Sequence, residues 1–292
     1  MNDFSFCAII VIAKTLKGHT MKNKQKKQKK TEELKEFKLP KNRRQPIFKF
    51  FSALFFKPIF KVKTQSKIKN LPDKAIIASI HAAKTGPMSI CVSYPKYSAI
   101  WGHHGMLGSY KERFHYLRDV LYVQKMHKNK FFSGLKATYE AFFSIFIYKG
   151  MKVIGTYTDM RLLSTIRNSM NVLDENASVI IFPEDSSEGY FDEIQSAFPG
   201  FVSLASLYYS KRGEDVPIIP AYISRKRGKK RLVIGEPRYV HELELQGKSK
   251  QEIADIIKED INELYRNYVE PKNDLEPTIE DAPTRTKEYY GE

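Results

Sequence analysis

The sequence contains two short apolar runs that each end near a residue able to act as an acid or a base. His81 follows residues 75–80, and Glu184 follows residues 179–183 and precedes a polar segment. Pro183 lacks an N–H and has a fixed φ, so we expect strand pairing to stop there. The imidazole of a histidine is mostly neutral near pH 7, which suits His81 to the role of general base. Together the two runs predict a site at two strand ends.

The elements that must position these residues form an alternating pattern. Short β-rich runs alternate with helical patterns, which is typical of an α/β fold whose mostly parallel sheet is flanked by helices on both faces. In such folds, ligands bind at the carboxyl ends of the strands. The predicted strands cover residues 75–80, 97–101, 152–157, 178–182, 216–223 and 231–234, and the predicted helices cover residues 85–93, 109–124, 131–146, 159–174, 198–209 and 248–268.

Four sequence blocks occur in an order that is typical of one enzyme family. They are the run ending at His81, a segment reading Gly-Met-Lys-Val-Ile-Gly-Thr-Tyr-Thr-Asp-Met-Arg at 150–161, Phe-Pro-Glu at 182–184, and Val-Pro-Ile-Ile-Pro at 216–220. Over residues 76–222 the chain resembles the glycerolipid acyltransferases, the lysophosphatidic-acid acyltransferase-like superfamily. In that family the first block is His-x4-Asp, the third is Phe-Pro-Glu-Gly-Thr-Arg-Ser, and the fourth is an apolar strand with two prolines.

The resemblance implies a reaction and a set of site residues. In the family, the His removes a proton from an acceptor hydroxyl, which attacks the thioester of acyl-CoA or acyl carrier protein. The acyl donor is a substrate, so no cofactor is implied. A hydroxyl of high pKa needs a positioned base, and the tetrahedral oxyanion needs hydrogen-bond donors. The expected catalytic residues are His81, Glu184 and Asp185, and the expected substrate-binding residues are Lys84, Thr85, Gly86, Arg161, Phe182, Pro183, Ser186 and Ser187.

The first departure from the family pattern is at position 86, where Gly86 replaces the Asp of His-x4-Asp. Pro87 still matches the pattern, and residues 82–110 contain no Asp or Glu. The family's Asp orients the His, and disabling the orienting Asp in a serine-protease triad lowers the rate by about 10⁴. The group that orients His81 must therefore be Thr85, a backbone carbonyl, or a carboxylate across the site such as Glu184 or Asp185.

The second departure is Asp-Ser-Ser at 185–187, where the family has Gly-Thr-Arg. The Arg that meets a phosphate in the family is absent, and the carboxylate of Asp185 repels phosphate. Arg161, Lys84 or Lys152 could restore the positive charge that the missing Arg would supply. Two interpretations stay open: the acceptor is not a phosphate ester, or Asp185 has taken over the orienting role of the missing Asp. A helix N-cap or turn role for Asp185 is the simpler alternative.

The formal net charge of +16 is concentrated at one end of the chain. Residues 1–70 hold 19 Lys and Arg against four acidic residues, a net of +15. We expect residues 1–44 to be a basic, disordered extension, because residues 21–44 have almost no apolar side chains. We expect an acyltransferase-like domain at residues 69–269, followed by a disordered tail at 270–292 that contains seven acidic residues and three prolines.

Two aromatic segments have helical character. Residues 45–62 contain six phenylalanines and three lysines, and their apolar runs are too short to cross a bilayer. We expect residues 45–68 to form a membrane-interface helix, with residues 22–69 binding an anionic membrane surface; the alternative is a helix packed in the core. Residues 131–148 have aromatic side chains at helical spacing. We expect these side chains to be half core, or alternatively to line an acyl-chain groove.

Two other classes of function are disfavoured by the sequence. His103 and His104 are adjacent, but no Asp, Glu or Cys stands at ligand spacing, so no metal site is predicted. The basic residues 21–69 lack a recognisable module that reads nucleic acid, and interleaved phenylalanines suit a bilayer surface better, so no nucleic-acid partner is predicted. Cys7 and Cys91 are too far apart and too different in context to indicate a disulfide framework.

The resemblance to the glycerolipid acyltransferases implies an enzyme of the 1-acylglycerol-3-phosphate O-acyltransferase type that acts in phospholipid biosynthesis. We expect it to transfer a fatty acyl group from acyl-CoA or acyl carrier protein to the hydroxyl of a lysophospholipid or a related lipid. The basic and aromatic segments predict a peripheral protein at the cytoplasmic face of the membrane. The alternative is a catalytically impaired family member that binds lipids or acyl chains.

Overall fold

The computed structural model describes residues 46–82, 85–157, 159–186, 189–224 and 230–270. The expected basic extension at 1–44 lies outside the described residues, and so does the expected acidic tail beyond its first residue. The candidate site residues Lys84 and Ser187 also lie outside them.

Seven strands form one sheet in the described residues. They are β1 (Lys63–Ser66), β2 (Ile76–Ser79), β3 (Ser98–His103), β4 (Val153–Thr156), β5 (Ser178–Ile181), β6 (Ile218–Ser224) and β7 (Arg231–Ile234). Their order is β1-β7-β6-β2-β5-β3-β4, and every neighbouring pair is parallel except β6 and β7. The predicted α/β class with a mostly parallel sheet is therefore confirmed.

The described residues also form eight helices and a short 3-10 helical turn at His104–Met106. The helices are α1 (Pro46–Phe51, a π-helical turn at Ser52–Phe56, and Lys57–Phe60), α2 (Gly86–Ser93), α3 (Tyr110–His115, continued by a π-helix at Tyr116–Lys125), α4 (Lys130–Gly150), α5 (Leu162–Asp174), α6 (Gly200–Arg212), α7 (Val240–Leu245) and α8 (Lys250–Leu264, continued by a π-helix at Tyr265–Val269). All six predicted strands and all six predicted helices are present, and β1 and α7 are additional.

The central strands are buried along their whole length. Every residue of β2, β5 and β6 is buried, which is why these strands appear in the sequence as continuous apolar runs rather than alternating patterns. In β2, Ile77 pairs with Ile180 of β5 on one side and with Ile219 of β6 on the other. Because β2, β5, β3 and β4 are parallel neighbours, the residues that follow them lie along one edge of the sheet.

Helix α1 packs on the domain through a buried aromatic side chain. The ring of Phe48 lies against Gly150 at the end of α4, where an added Cβ would be 1.9 Å from Phe48 Cδ2. Glycine at position 150 therefore makes room for α1. The helix predicted for residues 45–68 ends at Phe60, and residues 63–66 form the edge strand β1, which pairs with β7.

Helices α1 and α4 each have an apolar face that is exposed. The exposed large side chains are Phe50, Phe51, Leu54, Phe55 and Ile59 on α1, and Phe131, Phe132, Leu135, Tyr139, Phe142, Phe143 and Phe146 on α4. The prediction that the apolar residues of the 131–148 stretch are half core is wrong for these seven, because the small residues Ser133, Ala137, Ala141 and Ser144 fill the buried positions of the helix instead. In the part of the chain that the structure describes, no helix is both long enough and apolar enough to cross a bilayer.

Candidate active site

His81 lies two residues beyond the end of β2, at the carboxyl edge of the sheet. Its imidazole contacts two aromatic rings. Tyr190 stacks on it with ring centroids 5.1 Å apart and an interplanar angle of 17°, and Phe182 meets it edge-on at 4.8 Å and 69°. Phe182 directly follows β5, the neighbour of β2, so the strand order itself brings the first and third sequence blocks together.

Glu184 contacts His81 through the backbone. Its carboxylate accepts a hydrogen bond from the His81 N–H, and burial raises the pKa of Glu184 to about 7 against the opposing effects of this hydrogen bond and of Lys125. The Glu184 Oε1 atom is buried and has no hydrogen-bond partner among the described residues. A carboxyl group with a pKa near neutrality can hold or release a proton at working pH. Glu184 is therefore a candidate acid–base group.

The loop that carries Glu184 is fixed by backbone hydrogen bonds. The Asp185 N–H donates to the Ser196 carbonyl at 3.0 Å, and the Phe198 N–H donates to the Pro183 carbonyl at 2.8 Å. These bonds form where Pro183 has ended the regular pairing of β5, as the missing N–H of proline requires. The backbone is therefore fixed by hydrogen bonds at the residues before and after Glu184.

Lys125 is a residue of this cluster that the sequence analysis missed. It ends the π-helical part of α3, and its Nζ donates to Ser186 Oγ at 2.5 Å and lies 5.8 Å from the centroid of the Tyr190 ring. Burial lowers the pKa of Lys125, while Glu184 and Asp185 act in the opposite direction. No motif marks Lys125, because it reaches the site from the end of a helix. The one signal available is that this helix follows β3, which proves to be the neighbour of β5.

Tyr190 is a second contact residue that was not predicted. Its ring stacks on His81, and its hydroxyl is hydrogen-bonded to Ser186. Burial raises the pKa of Tyr190 above its ordinary value, so the phenol stays protonated at neutral pH. The side chain of Tyr190 therefore links the imidazole of His81 to the Ser186–Lys125 pair.

Gly86 begins α2 at a position with no room for a side chain. An added Cβ would lie 1.9 Å from the carbonyl oxygen of His81 and 2.8 Å from its carbonyl carbon. The first turn of α2 thus approaches the His81 backbone more closely than any other residue type permits. Thr85 precedes it, and its carbonyl accepts the Ser89 N–H at 3.0 Å. Gly86 was expected to bind substrate, but the contact that requires glycine here is with His81 itself.

Arg161 lies after the end of β4. Its guanidinium forms an ion pair with Asp159, with Nη2 2.7 Å from Oδ2, and lies 4.4 Å from the centroid of the Tyr157 ring. The ion pair holds the pKa of Asp159 at about 2, so the carboxylate is charged at neutral pH. The charge of Arg161 is therefore balanced by its immediate neighbour, which weakens it as the replacement for the missing Arg.

A row of stacked rings lies beside Arg161. Tyr157 stacks on His104, His104 on His103, and His103 on Tyr116, with centroids 4.6, 4.5 and 4.2 Å apart. Burial lowers the pKa of His103 to about 4, assisted by the nearby charges of His104 and Lys125, so His103 is neutral at pH 7. Over the described residues, no group of three or more His, Cys, Asp and Glu side chains is arranged to hold a metal ion.

Comparison with known proteins found little that resembles this chain. Its sequence matches no protein-family model and no curated protein. Among solved structures, the chain is similar to the crystal structure of the 1-acyl-sn-glycerophosphate (LPA) acyltransferase, PlsC, from Thermotoga maritima. The TM-score is 0.40 and the identity 12%, over 74% of this chain and 76% of that chain.

Proposed function

We propose that this chain is an acyltransferase that moves a fatty acyl group from acyl-CoA or acyl carrier protein to a lipid hydroxyl. The proposal depends chiefly on one observation, the setting of His81. Its imidazole lies at the carboxyl edge of a mostly parallel sheet in contact with two aromatic rings, and the carboxylate of the acid–base candidate Glu184 accepts a hydrogen bond from its backbone N–H. The four sequence blocks that resemble glycerolipid acyltransferases support the same reaction. The acyl donor is a substrate, and the chemistry needs no cofactor.

In the proposed reaction, His81 is the general base. Its imidazole accepts the proton of the acceptor hydroxyl while the hydroxyl oxygen attacks the carbonyl carbon of the thioester. The tetrahedral intermediate then breaks its C–S bond, and the departing thiolate takes the proton back from the imidazolium. The products are an ester and a free thiol, and His81 is returned to its neutral form. The ammonium group of Lys125 is a candidate to stabilise negative charge in the intermediate.

The charges around Lys125 bear on the acceptor. The ammonium faces the carboxyl groups of Glu184 and Asp185 and donates to Ser186, so the residues of this loop that the structure describes offer no excess positive charge. A phosphate monoester needs such an excess, because the carboxylates repel it. We therefore favour an acceptor, such as a lysophospholipid with a diester headgroup, that brings a hydroxyl rather than a phosphate monoester to the loop.

We also propose that the protein acts as a peripheral protein at the cytoplasmic face of the membrane. The net charge of +15 in residues 1–70 supports contact between residues 22–69 and anionic lipid. The exposed phenylalanines of α1 support burial of this helix at the bilayer interface.

A second candidate function is favoured by Gly86. The position that holds an orienting carboxylate in the family has no space for any side chain. This observation favours a catalytically impaired family member that binds lipids or acyl chains without transferring them.

Turnover decides between the two candidates. The full chain is incubated with a labelled acyl donor, either acyl-CoA or acylated acyl carrier protein. The acceptors are lysophosphatidic acid, lysophosphatidylglycerol and lysophosphatidylcholine, each tested in turn. Both the diacyl product and the free thiol are measured. We expect turnover, faster with a diester acceptor than with lysophosphatidic acid. Tight binding of acyl-CoA without turnover of any acceptor would establish the binding-only candidate and reject the enzyme.

A further inference from the structure

Helix α4 has the reverse of the burial pattern expected of a surface helix in a soluble protein. Ala137 and Ala141 are fully buried, whereas Phe132 and Phe142 are 69% and 67% exposed. A surface helix of a globular protein normally turns its large apolar side chains toward the core and its polar ones toward water. Here small residues at a four-residue spacing form the inner face, so packing on the domain does not explain the phenylalanines.

The exposed faces of α1 and α4 are continuous. Phe51 of α1 meets Phe146 of α4 edge-on with ring centroids 5.7 Å apart, and the buried Phe48 holds the two helices together beneath this contact. We call the exposed apolar side chains of both helices the α1–α4 surface. Soluble monomers rarely expose apolar patches beyond a few hundred Å², and larger ones mark protein or membrane contacts.

The charged residues of α1 and α4 are almost all positive. The sequence of α1 contains lysines and no acidic residue, and Glu140 is the one acidic residue of α4. Glu140 is already engaged, because the Tyr122 hydroxyl donates to its carboxylate. The lysines Lys130, Lys136 and Lys149 are exposed along α4. Aromatic side chains rimmed by lysine match the interface of a bilayer that contains anionic lipid.

We infer that the α1–α4 surface docks on a lipid bilayer containing anionic lipid, with α4 lying in the plane of the interface beside α1. The membrane contact proposed above involves residues 22–69, and α4 adds a second helix from inside the domain. The inference does not depend on acyl transfer. A second copy of the chain fits less well, because a symmetric pair would place the same surface, with the same lysines, against itself.

The inference is tested with vesicles and a matched pair of variants of the full chain. The first variant combines Phe132→Ser, Leu135→Ser and Phe142→Ser on α4. The control combines Leu207→Ser and Leu245→Ser, which remove exposed apolar side chains outside the α1–α4 surface. Co-sedimentation is measured with phosphatidylcholine vesicles that contain phosphatidylglycerol. Full burial of a large apolar side chain contributes about tenfold or more, so half-burial of the three side chains contributes at least ~30-fold in total. We therefore expect the α4 variant to bind at least ~30-fold more weakly and the control to bind as the unmodified chain does.

A second measurement keeps the inference testable if the α4 variant does not fold. Phe132→Trp places a reporter on the surface, while the native Trp101 donates to Ser169 inside the domain and supplies the baseline. We expect the added emission to shift to shorter wavelength with vesicles and to be quenched by brominated lipid. No shift and no quenching would overturn the inference.

Two further outcomes are decisive. Unchanged vesicle binding by a folded α4 variant would overturn the inference, as would a dimer of the unmodified chain that the α4 substitutions convert to a monomer. If no acceptor is acylated and vesicle binding still depends on α4, the proposed enzymatic function fails and the docking surface stands.

Discussion

Two regions of this molecule depart from the usual distribution of side chains in opposite ways. At the carboxyl edge of the sheet, the ionisable groups of Glu184 and Lys125 are drawn away from water, and burial is the largest influence on the pKa of each. On α1 and α4, phenylalanines are left in water, and on α4 alanines are buried beneath them. Buried ionisable groups and large exposed apolar patches are the informative exceptions to the general pattern of burial.

The difference teaches what each region is suited to meet. At the sheet edge, burial shifts the pKa values of Glu184 and Lys125. Shifted pKa values suit a reaction in which a proton is transferred to or from the substrate. The α1–α4 surface consists of large apolar side chains that stay exposed to water until another surface covers them. Such a surface suits contact with a bilayer. An acyl transfer to a lipid needs both, because the base must work where the acceptor resides.

The largest effect on the sheet edge is expected from placing an acidic residue at position 86. In Gly86→Asp, the new Cβ in its ideal position would lie 1.9 Å from the carbonyl oxygen of His81. The substitution must therefore displace that carbonyl. We expect a loss of at least about 3 kcal/mol in the free energy of unfolding, as for severe overpacking against backbone, together with a loss of acyl transfer. Urea unfolding and initial rates measure both.

Pro87→Ala, in the same turn, is the control for a general effect on α2. An increase in the rate of acyl transfer by Gly86→Asp would contradict the close approach described here and would mean that the carboxylate can reach His81.

The second effect concerns the buried carboxyl of Glu184. Its pKa in the folded chain, about 7, lies above the ordinary value of 4.5, so between these pH values the folded state holds a proton that the unfolded state has released. Stability must therefore fall as the pH rises through this interval. Glu184→Gln is expected to remove this dependence and to gain up to about 3 kcal/mol relative to the unmodified chain above pH 7.

Urea unfolding at several pH values measures that gain. Glu193→Gln changes a partly buried acid of the same loop region and serves as the control, for which we expect no such gain. Parallel pH curves for Glu184→Gln and the unmodified chain would show that Glu184 does not carry the elevated pKa.

The smallest effect is expected at Tyr190, whose ring positions the imidazole of His81. Stacking of two rings contributes about 1 kcal/mol, so Tyr190→Ala should lower kcat about fivefold, with little change in the KM for the acyl donor. Tyr190→Phe keeps the ring and loses the hydrogen bond to Ser186, so it should restore most of kcat. Equal losses in the two variants would assign the effect to the hydroxyl and not to the stack.

Much of the fold could be predicted because the buried strands are continuous apolar runs. Strand β1 was missed because Lys63–Ser66 is a polar edge strand with one buried residue, and such a segment carries no apolar pattern. Helix α7 was missed because a six-residue helix is too short to show a helical period.

The site was predictable only where residues directly follow predicted strands. His81 and Phe182 meet because β2 and β5 are neighbours, and the carboxyl ends of parallel strands share an edge. Lys125 and Tyr190 reach the site from the end of a helix and from a loop, at positions that depend on tertiary packing. The crowding at Gly86 depends on the path of the backbone, which the residue types alone do not specify.

The central claim is that His81 is the base for acyl transfer, and its most direct test is the initial rate of the His81→Ala variant with the best acceptor found. His241→Ala is the matched control, because His241 stacks on Tyr209 and lies on α7, outside the sheet-edge site. General-base catalysis contributes about 10²- to 10⁴-fold, so we expect a loss of that size in His81→Ala and an unchanged rate in the control. A folded His81→Ala variant that retains the full rate would contradict the assignment of His81 as the base.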